Sequence, residues 1–195
     1  MVRKLKARAE RSPSAFRDEV WDGIYVMSPL ANIEHQIIGQ KLWMVFEETL
    51  PFAGGGLAIN GFDLSDRVEG WKANDREPDV GVYLAGNPAR NCDTHFCGGP
   101  NLAVEILSPN DLARRKLDFY AKVNTKELLI VDRQPWALEL YRLIDGFLIL
   151  IGASTPQNST LLTSQALPLT FRLVPGESRP TIEIVRADGG QTWRI

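Results

Sequence analysis

Apolar positions along the chain follow two different periods. Ile33, Ile37, Ile38, Leu42, Val45, Phe46 and Leu50 recur at helical spacing. They predict an amphipathic helix that opens on Asn32 as N-cap and stops at Pro51 and Gly54-Gly55-Gly56. A second helix is predicted over Asp111 to Val123, and the polar stretch 3–11 also reads as helical. Short apolar runs over 57–64, 80–84, 102–107 and 127–131 predict strands. Asp22-Gly23 turns a hairpin within EVWDGIYVM (Glu19 to Met27), which Ser28-Pro29 closes. Asp145-Gly146 turns another between 136–143 and 147–151. Residues 86–101, rich in Gly, Pro and Asn, read as a loop, and the tail 167–195 as short strands of open pairing.

The order strand, helix, strand across 102–131 has the size of a βαβ crossover, so its two strands should lie parallel and adjacent. The hairpins on either side supply antiparallel partners. The expected class is α/β (α+β), with a mixed β-sheet flanked by helices and additional β-hairpins. There is no repeat, low-complexity tract or linker, which predicts a single domain over 1–195. Its N-terminal helical extension would cover 1–18 and its C-terminal β extension 144–195.

Composition narrows the function classes. Of 195 residues, 44% are hydrophobic and 24% charged, and the formal net charge is −2. That balance argues against a protein that coats nucleic acid by bulk charge, although a local basic groove could draw on Arg114 and Arg115, or on Arg3, Lys4, Lys6, Arg8 and Arg11. The longest apolar stretch, Phe147 to Ala153, falls far short of the ~20 residues that span a membrane. No apolar run follows the basic N-terminus as in a signal peptide. Two cysteines, Cys92 and Cys97, make no disulfide framework, and a cytoplasmic location is the expectation.

The chemistry sits in LAVEILSPNDLARRKLDFY, residues Leu102 to Tyr120. Both faces of the first strand are apolar, so Glu105 should be shielded from water. A buried carboxylate costs several kcal/mol unless a cation or strong donors meet it. Lys116 shares a helical face with Leu112 and Tyr120, inside the stripe that should pack on the sheet. Asp79, at the edge of the strand in EPDVGVYL, is the third candidate. If the Asp79 and Glu105 strands are neighbours, two carboxylates converge, and hard oxygen ligands of this kind suit Mg²⁺ or Mn²⁺. On the residues alone a second reading stays open: a buried Glu105–Lys116 ion pair with Asp79 as a turn cap.

Other motifs carry less. CDTHFC (Cys92 to Cys97) lacks the spacing of a zinc pair and reads as a plain loop. Gly54 to Gly56 precede no Gly-Lys-Ser/Thr, so they form a helix stop and not a phosphate loop. Ser108 has no nucleophile elbow around it and suits a capping role. Trp136 and Tyr141 read as packing residues.

Asp after Pro78, then Glu inside an apolar strand, then Lys is the order used by the PD-(D/E)xK nuclease superfamily. More narrowly, the chain resembles its bacterial restriction-endonuclease family long known as a domain of unknown function. The resemblance is carried by WDG (Trp21 to Gly23), MSP (Met27 to Pro29), HQ (His35-Gln36) and REPDVGVYL (Arg76 to Leu84). It continues through LAVEILSPND (Leu102 to Asp111), RKLDFYA (Arg115 to Ala121) and KELLIVD (Lys126 to Asp132), covering about Glu19 to Leu143. It implies a restriction-endonuclease-like fold and metal-dependent hydrolysis of DNA, with RNA not distinguished, by a homodimer. Asp79, Glu105 and the backbone carbonyl of Ile106 would hold one Mg²⁺ or Mn²⁺, and Lys116 would orient the attacking water or neutralise developing charge. The superfamily's usual lysine position, two after the strand acid, is Leu107 here; the family's lysine stands on the next helix, as Lys116 does. Many relatives carry a glutamate directly after the Asp-Gly turn, where this chain has Ile24. Glu34 and His35, with Gln36 beside them, are the auxiliary candidates in its place. The alternative is a catalytically silent nuclease fold that binds nucleic acid or another protein.

Overall fold

A computed structural model of the chain describes residues 18–27, 31–109 and 111–195. The expected helix over 3–11 with its basic residues, and the Ser28-Pro29 closure, lie outside those residues. Strands β1 (Glu19–Trp21) and β2 (Ile24–Val26) pair as the Asp-Gly hairpin, with φ +47° at Asp22 and +83° at Gly23. Helix α1 (Ile33–Thr49) opens where expected: the Asn32 side chain accepts the His35 amide at 2.9 Å. It runs into a 3₁₀ turn over Leu50–Ala53, and Gly54 ends it at φ +88°.

The chain next enters β3 (Gly56–Asn60), leaves it, and forms β4 (Leu64–Ser65) and β5 (Asp75–Arg76) before β6 (Val80–Leu84). The strand expected over 57–64 is therefore two strands in two sheets. Gly61, at φ +45°, turns the chain away while its amide donates to the Asp79 carbonyl at 3.0 Å. The expected loop 86–101 holds two short strands, β7 (Arg90–Asn91) and β8 (Phe96–Cys97), ahead of β9 (Leu102–Ile106).

The helix expected over 111–123 is shorter and tighter. Asp111 accepts the Ala113 amide on its side chain at 2.9 Å, a 3₁₀ turn covers Ala113–Lys116, and only α2 (Leu117–Lys122) is α-helical. The tighter winding takes Leu112 off the packed face, where it is exposed, and puts Ala113, Lys116, Phe119 and Tyr120 inside. After α2 come β10 (Glu127–Arg133), β11 (Trp136–Ile144) and β12 (Phe147–Ser154), then β13 (Leu162–Thr163), β14 (Leu169–Val174), β15 (Thr181–Arg186) and β16 (Thr192–Arg194).

The central sheet has the order β12-β11-β10-β9-β6-β3. As the crossover predicted, β9 and β10 are parallel; the other neighbours are antiparallel. β12, at the start of the segment read as a C-terminal extension, is thus the outermost strand of this sheet. One face packs Val104, Ile106, Leu129 and Val131 against α1 and a four-stranded sheet, β13-β14-β15-β16. The opposite face packs Ala103, Leu128 and Ile130 against α2 and a smaller sheet of order β2-β1-β5-β4-β8-β7. Glu105 points into that second layer, which is why its charge needs partners.

The C-terminal sheet is tied to the central one by a buried carboxylate. Glu127, 1% exposed, accepts from Arg142 Nε at 2.9 Å, Ser164 Oγ at 2.5 Å and the amides of Gln165 and Ala166 at 3.0 and 3.2 Å. Removing the carboxylate takes the acceptor from Arg142 Nε, Ser164 Oγ and the Gln165 amide, while the Ala166 amide keeps Ser164 Oγ at 3.1 Å. Glu127→Ala is expected to lower unfolding free energy by about 3–5 kcal/mol, read as a lower urea midpoint.

Candidate active site

Antiparallel pairing of β6 and β9 sets Val80 opposite Val104 and Gly81 opposite Ala103, and the same register carried one residue further sets Asp79 beside Glu105. The Asp79 amide donates to the Val104 carbonyl at 3.0 Å, so the register holds at that end. The Asp79 carboxylate accepts the Ile106 amide at 2.7 Å on Oδ2, and His35 Nε2 lies 2.7 Å from Oδ1. A carboxylate only accepts, so the His35 proton in this contact sits on Nε2. His35 Nδ1 is buried with no partner among the described residues.

Glu105, 4% exposed, is met by the cation its burial demands. Lys116 Nζ donates to both its oxygens, at 2.9 and 3.0 Å, and the Tyr120 hydroxyl donates to Oε1. The 3₁₀ turn aims Lys116 at the sheet. On its far side the same ammonium donates to Glu19 Oε1 at 2.7 Å. Glu19, at the start of β1, is 1% exposed and is fixed by the Glu77 amide at 2.9 Å and Trp21 Nε1 at 2.7 Å.

Glu19 and Glu105 hold the one lysine between them, and Asp79 stands beside Glu105 across the β6–β9 pair. Burial pushes the Glu105 carboxyl up to about 8; Lys116 opposes the rise, while Glu19 and Asp79 add to it. For Lys116 burial works against the charge, but Glu105 and Glu19 outweigh it and hold the ammonium above its usual range. Burial, and then Glu105, keep the Tyr120 phenol protonated. Behind Glu19, Asp75 is pushed up to about 7 by burial and then by Asp63 and Glu19. Acid crowding of this kind is relieved by added positive charge.

Among the described residues no three His, Cys, Asp or Glu side chains are gathered so as to grip an ion by themselves. Mg²⁺ does not need three: it commonly takes one or two carboxylates and fills its octahedron with water and phosphate oxygens. Asp79 and Glu105, hard-oxygen donors on neighbouring strands with an excess of negative charge around them, fit that requirement.

The remaining candidates divide. His35 belongs to the cluster and Gln36 to its rim. Together with Gln40, Asn60 and Asp79 they line a cleft of about 300 Å³. Glu34 turns the other way and pairs with Arg133 and Arg179, both at 3.0 Å. Ile106 touches Asp79 through its amide. Arg114 is paired with Asp132 at 2.8 Å and Glu139 at 2.7 Å on the rim of a second, 410 Å³ cleft at the ends of β9 and β10. Arg115 is exposed. Ile24 is 66% exposed, and it is Glu19, at the other end of the hairpin, that reaches the lysine. Glu19 and Tyr120 are the two members that sequence reasoning missed. Tyr120 was within reach, one turn after Lys116 on the same face. Glu19 was not, because its partner lies 97 residues away.

Comparisons with known proteins bear on the family and the fold. A family model described as "Uma2: Putative restriction endonuclease" matches residues 7–175. A crystal structure of a "putative nuclease belonging to DUF820" from Anabaena variabilis superposes with a TM-score of 0.58 at 16% identity, covering 74% of this chain and 79% of that one. At that identity the likeness concerns the fold. No curated protein matches the chain.

Proposed function

The chain belongs to the Uma2 family of restriction-endonuclease type, and on that premise we propose that it is a Mg²⁺- or Mn²⁺-dependent endonuclease of PD-(D/E)xK type acting on DNA. The observation that supports this reading is the β6–β9 register, which sets Asp79 beside Glu105, together with Lys116 Nζ 2.9 Å from Glu105.

A metal held by Asp79 and Glu105 would polarise a phosphoryl oxygen and supply a nucleophilic water. The chain's own groups do the rest. The Ile106 amide and His35 fix the Asp79 carboxylate, and Tyr120 and Lys116 fix that of Glu105. Lys116, kept charged by two carboxylates, faces the charge that develops on the phosphate in the transition state. Glu19 positions the ammonium from behind.

The second reading, a catalytically silent fold that binds nucleic acid, is favoured by one feature: Lys116 is already fully engaged by Glu105 and Glu19. Homodimer formation and a cytoplasmic setting belong to the proposal. The outermost strand β12 exposes Phe147, Ile149, Leu150 and Ile151 and carries no charge, so two copies could pair edge to edge without like charges meeting. No helix among the described residues is long and apolar enough to cross a membrane.

A plasmid nicking assay tests the activity. Relaxed circles should accumulate with Mg²⁺ or Mn²⁺ and cease with EDTA. Folded protein that leaves supercoiled DNA intact in every divalent ion would hand the site to the silent reading.

A further inference from the structure

The cleft beside Asp79 differs from the rest of the site in its chemistry. Its walls are carboxamides: Gln36 and Gln40, one turn apart on α1, and Asn60 at the end of β3, all three exposed. None of the described residues lining it is Lys or Arg, so these walls are poorly suited to a phosphate. A carboxamide presents a donor and an acceptor side by side, the pattern that pairs with the edge of a nucleobase. His35 in the same cleft is 8% exposed, and its buried Nδ1 has no partner among the described residues. With the proton on Nε2 toward Asp79, Nδ1 is an acceptor that lacks an N–H donor. The volume, about 300 Å³, is at the low end for small-molecule clefts. It suits one base rather than a stacked duplex. Asn60 pairs with Val80 in the sheet, next in sequence to Asp79, so this cleft and the proposed metal site share a wall.

We infer that the cleft binds one unpaired nucleobase adjoining the phosphate to be cut, read by Gln36, Gln40 and Asn60 with His35 Nδ1 accepting a base N–H. The inference rests on the nuclease reading above and narrows it to DNA with a single-stranded or flipped-out nucleotide at the cut.

The test compares binding of a short single-stranded oligo-dA with that of an abasic chain of equal length, by fluorescence anisotropy in EDTA so that nothing is hydrolysed. The two probes carry the same phosphates, so their difference reports the base. Wild-type protein should bind oligo-dA about tenfold more tightly, the scale of one well-made carboxamide–base contact. Gln40→Ala with Asn60→Ala should bring it down to the abasic level. These positions are exposed, so circular dichroism should show an unchanged fold. Equal binding of the two wild-type probes would overturn the base site and leave the nuclease reading standing. A preference that survives in the double variant would place base recognition elsewhere and also overturn it. Failure to bind either probe would overturn the base site and leave the nuclease reading to the nicking assay.

Discussion

Lys116→Met is expected to lower metal-dependent DNA cleavage by about a thousandfold. The scale is that of removing one preorganised group aimed at developing transition-state charge, typically 10²–10³ in rate. Methionine keeps the length and apolar stem of lysine, so packing against Ala113 and Tyr120 is largely retained. What is lost is an ammonium held between Glu105 and Glu19 at 2.9 and 2.7 Å. Breaking a buried pair by deleting one partner usually costs about 3–5 kcal/mol. Here the cost is tempered, because Glu105 can stay protonated: burial has already pushed it up to about 8, and losing Lys116 removes the main influence that opposes this. The pH dependence follows from that. A carboxyl whose folded value is raised contributes stability that is complete below its ordinary 4.5 and is lost as pH rises through the folded value. In the wild type that loss ends near pH 8; in the variant it continues to higher pH. The variant's deficit should therefore be smallest in acid and widen above about pH 8. Urea unfolding across pH measures the stability arm, and plasmid nicking by protein shown to be folded measures the catalytic one. A folded variant that nicks at the wild-type rate would remove Lys116 from the reaction.

The parts of the fold that sequence shows are those fixed by local rules. Asp22-Gly23 and Asp145-Gly146 each take positive φ at both positions, as a two-residue hairpin demands, and the chain announces them. Asn32 caps α1 because its side chain can reach the His35 amide three residues on. The runs VGVYL and LAVEI are apolar on both faces because layers cover them on both sides, and β9–β10 are parallel because the crossover between them allows little else. Local rules fail where distant contacts decide. Ala113 to Lys116, ARRK, has good helical propensity, yet it winds as 3₁₀ where Asp111 holds the Ala113 amide and Lys116 meets Glu105 and Glu19. Glu34 and His35 are sequence neighbours in the first turn of α1. Arg133 and Arg179 draw one away and Asp79 draws the other in. Glu19 reads as an ordinary acid on a hairpin until the Trp21 indole and the Glu77 amide are known to enclose it.

Asp79→Asn should abolish cleavage to a similar or greater extent, and by a different route. In the proposed site Asp79 is a direct ligand, and losses of 10–100-fold in metal affinity already attend changes in groups that only support ligands. The affinity for Mn²⁺, measured by isothermal titration without DNA, should therefore fall by at least about a hundredfold, whereas Lys116→Met should still bind the ion. The structural consequence is smaller but defined. Among the described residues the carboxylate accepts from the Ile106 amide and His35 Nε2. An asparagine has one accepting oxygen, and its NH₂ would face whichever donor is left. That orphaned group costs roughly 1–3 kcal/mol, well short of unfolding a domain of this size. A turn-cap role for Asp79 predicts the stability loss but no change in ion affinity. Wild-type Mn²⁺ affinity in Asp79→Asn would thus assign the aspartate to the architecture of β6 and take the metal site away from this pair of strands. A parallel loss of ion binding and nicking, with folding retained, would make the two strand acids a single metal site and leave Lys116 to act on the phosphate.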